Sequence, residues 1–142
     1  MKDFKEFLRV GEARRQRPNI DRAKSLITEA TQKKAYLELT IKTIPKGKRN
    51  PNVIAEQCYD IIMEILRAKM FLDGYTAGNS HEAEVSYMKI LGFNESETRY
   101  MDELRYYRNG TKYYGTILNI EYANKTIEFL NRIYPKLMKI VK

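Results

Sequence analysis

Apolar positions recur at helical spacing along the whole chain, and polar breaks fall where one helix would stop and the next begin. Phe4, Phe7 and Leu8 share one face of a short helix over 3–10, which Gly11 ends. A basic connector over 12–18 closes at Pro18. Ile27, Ala30, Leu37, Ile41 and Ile44 then follow one another on a single stripe, broken once by Lys34. This predicts a long helix from Asn19 or Asp21 to about Ile44. Residues 45–50 read as a loop. Asn50-Pro51 couples a capping side chain to a proline in the first turn and starts a helix reaching about Asp73. That helix carries two apolar rows. One is Ile54, Cys58, Ile61, Ile65, Ala68 and Leu72; the other is Tyr59, Ile62 or Met63, Leu66 and Met70. Two rows mean burial on more than one side, so this helix is the expected packing centre.

Residues 74–79 form a turn, and Asn79 or Ser80 caps a short helix ending at Gly92. Its first turn holds Glu82 and Glu84, where the helix dipole favours acids. Asn94-Glu95-Ser96-Glu97 resembles a capping box and opens the next helix. A last helix spans about Ile120 to Val141, with Pro135 expected to kink it or end its first half. The pattern predicts an all-α fold, an antiparallel up-and-down bundle of four or five helices. It forms a single domain over 1–142, with 1–18 as a short N-terminal helix and basic connector.

Composition narrows the function classes. Seven Gly and four Pro supply few turns for an all-β fold. Cys58 is the only cysteine, which excludes an internal disulfide and a cysteine-rich zinc site; its place in an apolar row makes it a small core hydrophobe. With one His and one Cys, no metal site is expected, and nothing calls for a cofactor. No apolar run approaches the roughly 20 residues of a membrane span, and the charged start Met1–Glu6 is no signal peptide, so a cytoplasmic protein without membrane contact is expected. The net charge of +8 is uneven. Residues 1–50 hold 14 Lys and Arg against six Asp and Glu, whereas 51–142 hold 12 of each. A basic segment beside a neutral bundle suits RNA, DNA or an acidic protein, or simply a soluble lysine-rich surface.

The densest chemistry lies at 101–115. On a helix, Tyr100, Leu104, Tyr107, Thr111, Tyr114 and Leu118 fall on one face and are expected in the core. Arg105, Arg108, Asn109 and Lys112 fall on a second face. Tyr106, Gly110, Tyr113 and Ile117 form a strip beside it. Gly110 in mid-helix costs about 1 kcal/mol relative to Ala, so a close neighbour is expected there. The arginines offer paired donors for phosphate, and exposed tyrosines offer faces for bases.

Ser80-His81-Glu82-Ala83, Leu104 to Asn109 and Tyr113-Tyr114-Gly115, in this helix order, resemble the HEPN domain over roughly 19–142, and Gly11 to Leu26 is similar to archaeal members. The resemblance implies a homodimer whose motif helices meet at a composite cleft. Active members are metal-independent endoribonucleases carrying Arg-x(4–6)-His. In them the Arg contacts the scissile phosphate and the His moves a proton. Many are toxins paired with a minimal nucleotidyltransferase, and others bind nucleotide or RNA without cutting. Here Tyr113, Tyr114 and Gly115 stand where the His is expected after Arg108. Tyrosine, with a free pKa near 10, is a poor base at neutral pH. The first reading is therefore binding of RNA or nucleotide at Arg105, Arg108, Asn109, Lys112, Tyr106 and Tyr113, without cutting. The alternatives are an endoribonuclease toxin using Arg108 with Tyr113 or His81, and a protein-interaction module for a nucleotidyltransferase. His81, the only histidine, is an auxiliary candidate whose place relative to Arg108 depends on the fold.

Overall fold

The structure, a computed structural model, describes residues 1–113 and 117–142, with side chains at all of these except 111–113. Among them the chain is mostly helical. The order is α1 (Phe4–Arg9), β1 (Arg14–Arg15), α2 (Ile20–Thr43), a 3-10 turn (Lys46–Lys48), α3 (Pro51–Asp73), β2 (Tyr75–Thr76), α4 (His81–Ile90), α5 (Glu95–Tyr113) and α6 (Ile120–Val141). The helix starts follow local chemistry. Asn19, Asn50, Ser80 and Asn119 each accept a backbone N–H of the turn they open. Asn94 and Glu97 complete a reciprocal box: Glu97 N–H donates to Asn94 Oδ1 at 2.8 Å, and Asn94 N–H to Glu97 Oε1 at 3.0 Å.

Both predicted rows of α3 are buried, apart from a half-buried Leu72, and α3 contacts α2, α4, α5 and α6. Asn19 N–H donates to Phe71 O at one end of the α2–α3 pair, and Arg49 reaches Ile41 O at the other. These two helices therefore run antiparallel. Lys34, the break in the α2 stripe, is buried but keeps its charge paired to Glu38, with its ammonium 5.1 Å from the Tyr134 ring centre. α5 and α6 are also antiparallel. Lys136 pairs with Glu97 near the start of α5, and Tyr107 meets Tyr122 edge-on, at 5.1 Å, near its end.

Three features differ from the sequence expectation. α6 continues through Pro135 to its expected end at Val141, so the proline does not close the helix's first half. Pro135 and Asn131, whose carbonyl loses its helical donor, both lie on the exposed side of the helix, which is open to water. Leu118 lies outside α5 yet is buried, and its N–H donates to Asn52 Oδ1 at 2.8 Å. The connector and the 74–79 turn are not plain loops: β1 and β2 pair antiparallel, with Arg14 opposite Thr76 and Arg15 opposite Tyr75. With α1 they cover a small second core of Phe4, Phe7, Ala13, Met70, Ala77, Ala83 and Tyr87. No helix of the described residues is long and apolar enough to cross a membrane.

Candidate functional site

Arg108 lies near the C-terminal end of α5 and turns inward, with its side chain only 16% exposed. Its Nη2 stands 3.7 Å from both Glu56 Oε1 and Asp60 Oδ1 on α3, and its guanidinium lies 5.7 Å from the Tyr59 ring centre. Beside it opens a cleft of about 350 Å3 walled by Lys33, Tyr59, Glu64, Arg67, His81 and Arg108. The fold thus brings His81, from the first turn of α4, into the same cleft as Arg108.

His81 is held by a buried carboxylate. Its Nδ1 lies 2.9 Å from Glu84 Oε1, one turn on, and Glu84 is only 2% exposed. Arg67, from α3, donates to both oxygens of Glu84, from Nε at 2.5 Å and from Nη2 at 3.0 Å. Burial pushes the Glu84 carboxyl up, but the hydrogen bonds and charges of His81 and Arg67 outweigh it and hold the group below the usual carboxylate range. The carboxylate therefore stays ionised and fixes the imidazole through Nδ1, which leaves Nε2 as the ring atom available to a ligand. Across the cleft, Lys33 pairs with the buried Glu64. Burial, followed by the Glu84 charge, pushes the Tyr59 phenol well above its ordinary value, so its hydroxyl stays protonated at neutral pH.

The other sequence candidates are placed differently. Arg105 donates from Nε to Asp102 Oδ1 at 2.9 Å along its own helix and does not wall this cleft. Asn109 and Gly110 are half-buried in α5. Tyr106 is 70% exposed, its ring edge-on to Tyr107. Tyr107, half-buried, packs on the main core as expected. The side chains of Lys112 and Tyr113, and all of residues 114–116, lie outside the described residues. The second face of α5 is therefore divided: Arg108 points at α3 while Arg105 is tied to Asp102.

Arg67, Glu64 and Lys33 carry no motif and were not singled out in the sequence. A signal existed: Glu64 and Arg67 are charged residues between the two apolar rows of a helix expected to be buried on several sides. Glu84 had an ordinary reading as a first-turn acid, which its burial replaces. Cys58 is buried, and burial pushes its thiol up to about 12, which leaves it unreactive at neutral pH. Among the described residues no group of three His, Cys, Asp or Glu side chains is placed to hold a metal ion. Comparison with protein-family models, with curated proteins and with solved structures finds no match to this chain, so its residues alone carry the functional reading.

Proposed function

We propose that the chain is a HEPN-type helical domain that binds RNA or a nucleotide through phosphate at the cleft between Arg108 and His81. One observation supports this above the others: four cationic or ionisable donors, Lys33, Arg67, His81 and Arg108, line a single cleft from four different helices, beside the carboxylates of Asp60 and Glu64. Arg108 supplies a planar pair of donors suited to phosphate, at a point where its Nη2 already stands 3.7 Å from the carboxylates of Glu56 and Asp60. The exposed side chains of Tyr106 and Ile117 (86% exposed) are surfaces that a second copy would cover in the dimer implied by the resemblance.

The test is a titration of a labelled single-stranded oligouridylate, read by anisotropy at several salt concentrations. Affinity is expected to fall as salt rises. Arg108→Ala is expected to weaken binding roughly tenfold or more, the worth of one hydrogen bond to a charged group. An affinity flat in salt and indifferent to Arg108 would sink the binding reading. Light scattering on the same samples tests the dimer, which a monomer at every concentration would remove.

A second reading is favoured by the His81–Glu84 contact. An imidazole fixed through Nδ1 by a buried carboxylate is the arrangement of a proton-transfer group. In this reading His81 stands in for the His missing after Arg108, and the cleft cuts RNA without a metal. RNA incubated with the protein in the presence of a chelator would then be shortened, and His81→Gln would leave it whole. Intact RNA with the wild-type protein would exclude cutting while leaving binding in place.

A further inference from the structure

The Arg108 cleft does not end at His81. It shares Arg67 and His81 with a second cleft of about 450 Å3 that reaches Gln16, Asn19, Arg22 and Tyr75. The second shares Ala77, Gly78 and Asn79 with a third of about 540 Å3 bounded by Glu12 and Arg14. Through these shared residues the three clefts adjoin one another, from α5 past the start of α4 to the N-terminal connector. Each is the size of a small-ligand site, and three in series suit successive units of one chain molecule better than a single compact ligand.

The connector is held in place beside these clefts. Gln16 N–H donates to Gly74 O at 2.9 Å, continuing the β1–β2 pairing. Gly74 has φ +85°, and a Cβ there would come within 2.9 Å of Gln16 O, so glycine permits the close approach. Arg15 lies over the Tyr75 ring at 5.5 Å, and Arg22 over Phe71 at 5.2 Å, which positions both guanidinium groups.

Charge separates the two ends. Arg67, Arg105 and Arg108 each face a carboxylate. Arg14, Arg15, Arg17 and Arg22 are exposed, and none of them makes an ion pair with a carboxylate of the described residues. The connector and the first turn of α2 thus carry four arginines against Glu12 and Asp21, a net positive charge beside these clefts. We infer that residues 14–22 form the far half of a binding groove for a single-stranded nucleic-acid backbone, with Arg14 and Arg22 contacting phosphates several units away from the one at Arg108. This rests on the phosphate reading of the Arg108 cleft. It assigns most of the length-dependent, salt-sensitive affinity to the N-terminal segment rather than to the motif helix.

The experiment compares labelled oligouridylates of two and ten nucleotides on four proteins: wild type, Arg108→Ala, Arg14→Gln/Arg22→Gln, and Lys46→Gln/Lys48→Gln. The last removes the same charge at the 3-10 turn, at the opposite end of α3. Circular dichroism confirms that each is folded. The decamer is expected to bind the wild type at least about tenfold more tightly than the dinucleotide, as added phosphate contacts require. Arg14→Gln/Arg22→Gln should abolish most of that gain, lower the salt slope of decamer binding by roughly 1.4, and leave the dinucleotide unchanged. Arg108→Ala should weaken both ligands. The inference is overturned if the decamer binds no more tightly than the dinucleotide. It is equally overturned if Arg14→Gln/Arg22→Gln keeps wild-type decamer affinity, or if Lys46→Gln/Lys48→Gln lowers the slope as much. If neither ligand binds the wild type, the phosphate reading itself fails, and this outcome is distinct from loss of the length effect alone.

Discussion

Arg67→Ala is expected to lower stability by about 3–5 kcal/mol, the cost of leaving a buried charge without its partner. The charge is Glu84, which would keep only His81. A loss of that size lowers Tm by about 10–17 °C in a chain of this length, measurable by thermal or urea unfolding. Arg67→Met/Glu84→Leu, which replaces the pair with apolar groups, is expected to regain most of the loss. A deficit under about 1 kcal/mol in Arg67→Ala would mean that Arg67 does not hold the Glu84 charge.

The same pair sets a pH dependence. Burial raises the carboxyls of Glu84 and Glu97, but their hydrogen bonds and charges bring both below the ordinary value of 4.5. A group depressed in the folded state stabilises it above its unfolded pKa, and the contribution is lost as pH falls through the folded value. Wild-type stability should therefore hold down to about pH 4.5 and decline in more acid solution. Arg67→Ala should show a smaller acid-dependent loss, because part of that contribution is already gone.

Phe129→Ala should cost about 3–5 kcal/mol, the usual range for truncating a buried phenylalanine. Phe129 is 1% exposed, and its ring centre is 4.4 Å from that of Tyr100 on α5. Tyr100 also bonds Thr126 through its hydroxyl at 2.9 Å. These contacts clamp α5 to α6 and so hold the helix that carries Arg108. Urea unfolding with Phe129→Leu alongside should show the leucine recovering more than half of the loss, because it leaves the smaller cavity. Equal losses for the two substitutions would show that the ring contact with Tyr100, and not buried volume, sets the cost.

The helices were legible because their signals are local. Asn50 followed by Pro51, the Asn94–Glu97 box and the two apolar rows of α3 each concern residues within a turn or two of one another. The periodicity of α3 also announced its central place. Local rules left open whether Pro135 would end α6, because its cost depends on whether the freed carbonyl meets water. They were silent on β1 and β2, two-residue strands too short to show any alternation.

By itself the sequence determined the mostly helical fold, the order of helices, the central packing role of α3, and the short list of residues proposed to meet phosphate. Each of these follows from spacing along a single segment or from side-chain chemistry. The tertiary structure decided which of those residues meet. It joined His81 to the cleft of Arg108 and tied Arg105 back onto its own helix. It buried Glu84 beneath Arg67 and set the basic connector beside a cleft that shares Arg67 and His81 with that of Arg108. Those juxtapositions arise because α3, packed on several sides, sets the mutual positions of elements far apart in the chain, and no periodicity within one element encodes the distance to another.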